Sequence, residues 1–215
     1  MIYNIISTGS IGNAVVINEF ILIDCGVPFK SLKSVYKSLK LVLLTHIHGD
    51  HFNETTIKQL AKERPTLFFG CCEWLIKPLI DCGVKKSKIL PFKCGQVYDL
   101  GACKVSPVKL YHDVPNCGYR LYIGNEKALY ITDSGTLDGI TARDYDLYMI
   151  EANYRSDEIT ERITAKEAAG EYCYEKGVLS RHLSKEQADD FLLNNMGNKG
   201  EFVYLHMHKE DIKND

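Results

Sequence analysis

The period of hydrophobic and polar positions changes several times along this chain, and each change marks an element. "IYNIIS", "NAVVIN" and "FILIDC" are short runs rich in β-branched residues, separated by Gly or Asn turns, and they predict three strands. "PFKSLKSVYKSLK" shifts to helical spacing, with Leu32, Val35, Tyr36 and Leu39 on one face, and predicts a helix. "LVLL" is wholly apolar, the pattern of a strand covered on both faces. "NETTIKQLAKER" predicts a further helix, with Asn53 as N-cap and Pro65 just past its end.

The alternation continues with "TLFFG", a helix through "EWLIKPLI" that Pro78 shortens, and then "SKIL", "QVYDL", "CKVSPVKL", "YRLYIG", "KALYIT" and "DLYMIEA". Helices over 156–176 and 184–195 lead to a last strand, "EFVYLH". No repeat, low-complexity tract or linker divides the sequence, so one domain spanning 1–215 is expected. Strands and helices alternating in both halves predict a layered α/β or α+β arrangement, with functional residues beyond strand ends.

Composition narrows the class. A chain of 215 residues can bury a full core without disulfide staples. A net charge of −2 argues against an indiscriminate nucleic-acid coat protein and leaves a local basic strip open. No cationic segment precedes a long apolar run at the start, and no run nears the ~18 residues of a membrane span. A soluble, cytoplasmic protein with no membrane partner is expected. The eight cysteines include no C-x-x-C pair and read as reduced thiols, most of them in the core. Cys117 is the one close in sequence to a candidate ligand, His112.

The densest chemistry follows "LVLL", in "THIHGDH". His46 and His48 are two apart, so in an extended segment their rings point to the same side. Gly49 permits a turn that sends Asp50 and His51 elsewhere. The segment thus offers two imidazoles to one metal ion and an Asp/His pair to a second position. Such ligands suit zinc, and also manganese or iron. One short segment cannot complete two coordination spheres. His112, Asp133, His182, His206 and His208 each follow or lie near an apolar run, and they are the residues available to finish them.

"THIHGDH" matches the H-x-H-x-D-H signature, and through it the chain resembles the metallo-β-lactamase superfamily. The resemblance runs nearly end to end. "LIDCG" looks like the first motif, with Asp24 structural; His112, "ITDSG" and "YLHMH" match the third, fourth and fifth. It implies an α+β fold, the αββα four-layer sandwich, with a two-metal site at its edge. It also implies His46, His48 and His112 on one metal, Asp50, His51 and His206 on the other, and Asp133 bridging. "STGSIGN", "YHDVPNCGYRL", "EANY" and "SRHLSKEQA" are similar to segments of the YycJ (WalJ)-type exonucleases. That branch, like RNase Z, carries an extra histidine that is not a ligand, here His182. The chain departs from the branch in two places. His208 stands where serine is usual, which leaves His206 favoured as ligand, and the stretch between "EANY" and "RHLS" is shorter.

The function so implied is a phosphodiesterase or nuclease acting on a phosphodiester substrate such as DNA or RNA. Two divalent ions would lower the pKa of a bound water toward ~7 and so supply hydroxide. Asp50 would orient that nucleophile, His182 would protonate the leaving alkoxide, and Glu151 would orient His182. Lys30, Lys33, Lys37 and Lys40 recur at helical spacing opposite the apolar face, and Lys85, Lys86 and Lys88 lie together. They could track a nucleic-acid backbone, although a lysine face is by default a solvated one. The alternatives are a thioester, lactone or β-lactam hydrolase on the same fold, and a non-catalytic metal-binding scaffold. With nine residues after His206, the helical domain of glyoxalase II-type enzymes is not expected.

Overall fold

The computed structural model describes residues 1–207, so His208 lies outside the described residues. Twelve strands and five α-helices are formed among them. In the first part these are β1 (Tyr3–Ser7), β2 (Ala14–Ile17), β3 (Ile21–Ile23), β4 (Leu41–Leu44), α1 (Glu54–Glu63), β5 (Phe68–Cys72), α2 (Ile76–Asp81) and β6 (Ile89–Phe92). Then come β7 (Tyr98–Asp99), β8 (Lys104–Leu110), β9 (Asn116–Ile123), β10 (Glu126–Ile131) and β11 (Leu147–Glu151). The last are α3 (Ser156–Ala169), α4 (Glu175–Arg181), α5 (Lys185–Asn195) and β12 (Glu201–Leu205). The chain forms two compact units, one of Met1–Pro107 and the other beginning at Val108.

In the first unit a six-stranded sheet has the order β1-β2-β3-β4-β5-β6. Strands β1 to β3 pair antiparallel, while β3 to β6 run parallel. A parallel strand is covered on both faces, which explains why all four residues of Leu41–Leu44 are apolar and buried. Val42 and Leu44 join a core that includes Ile57 and Leu60 of α1. That helix starts as its sequence predicts: Asn53 accepts from Thr56 N, replacing a bond the first turn cannot make internally.

The helix expected over 28–40 does not form. A single 3-10 turn covers Phe29–Leu32, and turns carry the chain on to Ser38. A bond that a helix would make is diverted, for Lys40 N donates to Phe20 O at 2.8 Å rather than to Tyr36 O. Ser38 Oγ is 2.7 Å from Glu19 O and 2.8 Å from Val35 O, and the Arg64 guanidinium donates to the carbonyls of Tyr36 and Leu39. Leu32 and Leu39 still reach the core, and Lys30, Lys33, Lys37 and Lys40 remain exposed, so the apolar spacing survives without the helix. In "EWLIKPLI", a 3-10 turn precedes the six-residue α2, whose first turn holds Pro78, where a missing N–H costs no bond.

A second six-stranded sheet has the order β12-β11-β10-β9-β8-β7. β10, β11 and β12 are parallel, and β9 pairs antiparallel with β10. The helical stretch expected over 156–176 is interrupted at Gly170, which caps α3 with a left-handed φ of 66°. Helix α5 opens with a capping box between Ser184 and Gln187 and packs Ala188, Phe191 and Leu192 into a core with Tyr148, Ile150 and Leu183. The expected strands and helices thus sort into two mixed sheets with helices, an α+β chain. All eight cysteines lie among the described residues, and no disulfide joins them. No helix among the described residues is long and apolar enough to cross a membrane.

Candidate metal centre

The first cluster is built where β4 ends. Leu44 is followed by Thr45 and His46, both fully buried, and a turn closes with His51 N on His48 O at 2.9 Å. Beyond Ile23 the chain continues alongside this turn: Cys25 N donates to His51 O at 2.9 Å, and Asn53 N donates to Cys25 O at 2.9 Å. Gly26 lies so close that a Cβ there would sit 1.7 Å from the Asp50 carbonyl oxygen, so only glycine fits.

Hydrogen bonds set the tautomers of two of these histidines. Asp24 is fully buried, with Oδ1 accepting from Thr45 N at 3.0 Å and from Thr45 Oγ1 at 2.9 Å. With its proton given to Asp24, the Thr45 hydroxyl is an acceptor for His46 Nδ1, 2.9 Å away. His46 therefore keeps its lone pair on Nε2, and that atom lies 3.2 Å from His48 Nδ1. Asp24 Oδ2 takes the Nδ1 proton of His51 at 2.7 Å. The amide of buried Asn13 donates to His51 Nε2 at 2.8 Å, so the lone pair is on Nε2 there as well. Asp50 Oδ2 lies 3.6 Å from that same nitrogen.

The second cluster is assembled from the ends of four strands and one helix. His112 follows β8, and its Nδ1 donates to the Arg181 carbonyl at 3.0 Å. Burial lowers the His112 pKa despite the pull of Asp133 and Asp113, which favours the neutral ring that a metal ion requires. Asp133 follows β10, Glu151 ends β11, His182 caps α4 and His206 follows β12. His182 Nδ1 lies 2.7 Å from Glu151 Oε1 and 3.1 Å from Asp133 Oδ1. Burial opposes a charge on His182, but these two carboxylates outweigh it and push its pKa up to about 9. Fully buried Glu151 also accepts from Ser134 N at 3.0 Å and Leu183 N at 3.3 Å. His206 Nδ1 lies 3.3 Å from Glu151 Oε1, and the His182 and His206 rings stack with centroids 5.3 Å apart. One candidate donor atom from each of Asp133, Glu151, His182 and His206 lies within 4.8 Å of the others.

The donor types in both clusters suit a divalent cation, and the four of the second cluster are close enough together to share one. Their donors are imidazole nitrogens and carboxylate oxygens, several with the opposite ring nitrogen already tied to a carboxylate, hydroxyl or carbonyl. Every residue named from sequence as a metal ligand or catalytic group up to residue 207 lies in one of the two groups, and the lysines and Cys117 lie in neither. His46, His48, Asp50 and His51 gather in the first unit, and His112, Asp133, Glu151, His182 and His206 in the second. Asn13, Thr45 and Gly26 had been given no role. Their only signal was position: Asn13 ends "STGSIGN", Thr45 opens "THIHGDH" and Gly26 closes "LIDCG". Three residues of the clusters, Asp24, Asp133 and His206, hold left-handed backbone at φ of 58°, 53° and 57°.

Residues 20–194 match the family model described as the beta-lactamase superfamily domain. Among solved structures, the chain is similar to the metallo-beta-lactamase fold protein YhfI from Bacillus subtilis, with a TM-score of 0.73 at 18% identity over 95% of this chain and 85% of that one. The short form of human tRNase Z superposes with a TM-score of 0.66 at 15% identity, covering 97% and 93% of the two chains. Zn(2+)-bound PqqB from Methylobacterium extorquens gives 0.62 at 12% identity over 91% and 76%. No curated protein matches by sequence. The fold is thus the metallo-β-lactamase fold, an α+β sandwich.

Proposed function

Because the chain belongs to the metallo-β-lactamase superfamily, we propose that it is a binuclear metal-dependent hydrolase and, more narrowly, a phosphodiesterase or nuclease. The family pattern assigns His46, His48 and His112 to one divalent ion and Asp50, His51 and His206 to the other, with Asp133 shared. Zinc is the expected metal, in keeping with the donor set and with zinc-bound PqqB. Such ions supply Lewis acidity and an activated water.

The observation that carries the phosphodiester reading is His182. Its Nδ1 is held by buried Glu151 at 2.7 Å, which leaves Nε2 as the nitrogen to serve as proton donor. An alkoxide expelled from phosphorus is strongly basic and needs that proton, whereas the thiolate expelled from a thioester does not. Glu151 acts through His182, fixing its ring and favouring its protonated form. Asp24 likewise holds His51 directly, and His46 through Thr45, in the ligand tautomer, and Asp50 would orient the attacking water. The similarity of fold to human tRNase Z adds support for phosphodiester chemistry. DNA or RNA is the proposed polymer partner, and the cytoplasm the proposed location.

Turnover of bis(p-nitrophenyl) phosphate by the zinc- or manganese-loaded protein tests this reading. The wild type hydrolyses the diester, and Asp50→Ala abolishes hydrolysis while leaving the circular dichroism spectrum unchanged. Preference for S-lactoylglutathione or nitrocefin would replace this reading with a thioester or lactam hydrolase. Two bound metals without turnover of any of the three would mark a scaffold.

A further inference from the structure

Away from the histidine clusters, two nucleophilic side chains meet across 22 positions of sequence, with Cys72 Sγ and Cys94 Sγ 3.9 Å apart. Cys72 is the buried last residue of β5. β6 runs parallel beside it, with Phe92 opposite Cys72, and the chain then turns. Gln96 N closes that turn on Lys93 O at 3.2 Å, and Gly95 adopts a φ of 83° that favours glycine. The turn folds Cys94 back toward the end of β5 and leaves it partly exposed.

Cys72 also lies two residues before Trp74, whose indole Nε1 donates to the Thr45 carbonyl at 3.2 Å. Thr45 is the residue whose hydroxyl joins His46 Nδ1 to Asp24. A short covalent and hydrogen-bonded path therefore leads from the thiol pair to a histidine of the first cluster.

We propose that Cys72 and Cys94 are a reversible dithiol–disulfide site, and that its oxidation is transmitted through Trp74 to Thr45 and His46. A disulfide brings the sulfurs to about 2.05 Å, so they must close by about 1.9 Å, a movement the surface turn at Cys94 can supply. The oxidant is a small-molecule disulfide. The Cys94 thiolate attacks one of its sulfurs, forming a mixed disulfide and expelling one thiol. Cys72 then attacks the Cys94 sulfur and expels the second. Two electrons pass from the protein thiols to the reagent, and their two protons leave with the expelled thiols. The disulfide itself is independent of the function proposed above; only its consequence for a metal site rests on that reading.

The experiment equilibrates the full chain in mixtures of reduced and oxidised glutathione, followed by acid quench, alkylation and peptide mapping. Trp74 is the chain's single tryptophan, so its selectively excited emission reports the surroundings of the residue in the middle of this path. In the wild type, two of the eight thiols disappear in one step, a Cys72–Cys94 cross-linked peptide appears, and Trp74 emission changes with the same midpoint. Cys94→Ser, on the surface turn, shows neither change. Survival of all eight thiols, or stable glutathione on Cys94 without a cross-link, overturns the site. A cross-link that leaves Trp74 emission unchanged overturns the transmission. Neither readout uses catalysis, so a protein that proves inactive on phosphodiesters still decides the question.

Discussion

Two acids from different strands converge on His182, and its position depends on both. Its Nδ1 meets Glu151 and Asp133, and Leu183 N ties the next residue to the same buried Glu151 carboxylate. A proton donor so positioned matters most where the leaving group is a basic alkoxide. His182→Ala is therefore expected to lower kcat by about 10²–10⁴-fold on a nucleic-acid diester, the usual weight of general acid catalysis, and much less on bis(p-nitrophenyl) phosphate, whose phenolate leaves without a proton. Metal content, measured by elemental analysis, should not change; loss of one metal equivalent would make His182 a ligand instead. His112, His182 and His206 were legible only through the family pattern, whereas His46, His48 and His51 were legible in themselves, because a dense run of titratable groups after an apolar strand has no ordinary structural reading. Asn13 and Thr45 were not. Asn13 acts through a bond to His51 across 38 positions, and no spacing or periodicity encodes that approach.

Strands were read well because β4 is an unbroken apolar run and β11 is one up to its final Glu151, and a parallel strand needs such a run whatever its neighbours do. The segment 28–40 was misread because helical spacing records only which side chains face the core. Lys40 N is drawn to Phe20 O, and Arg64 takes the Tyr36 carbonyl that a helix would have used. The split between α3 and α4 had a visible cause in Gly170. At this scale the sharpest test is Gly26, where the chain beyond β3 abuts the Asp50–His51 turn. Gly26→Ala places a methyl 1.7 Å from the Asp50 carbonyl oxygen, which must move and carry the two adjoining side chains with it. Thermal unfolding should drop by several degrees and zinc affinity should fall at least tenfold. An alanine variant that binds zinc as tightly as wild type would show that the turn's position does not matter.

For the molecule as a whole, the family and fold were legible because short motifs are distributed over almost the entire chain, from "LIDCG" to "YLHMH". Substrate class was not, since it depends on surfaces whose residues carry no fixed spacing. The lysines at 30, 33, 37 and 40 illustrate this, for the helix that would have aligned them does not form. If the clusters bind cations only when folded, metal and stability are linked by mass action. Zinc at ~100 times its dissociation constant should stabilise the fold by about 2.7 kcal/mol for each independent site, and chelation should remove that gain. Melting temperature measured against buffered free zinc is the check, and a flat profile would exclude native-state binding.

The left-handed backbone at Asp24, Asp133 and His206 sets the interests of the fold against those of the chemistry. Glycine would be at ease at all three positions, yet it brings neither carboxylate nor imidazole. A library of variants sorted only for soluble expression should therefore drift toward glycine or asparagine there, while one sorted for turnover should return to the original residues. If both selections keep the same side chains, these acids and this histidine are needed for folding itself, and the chain could not shed its chemistry without unravelling.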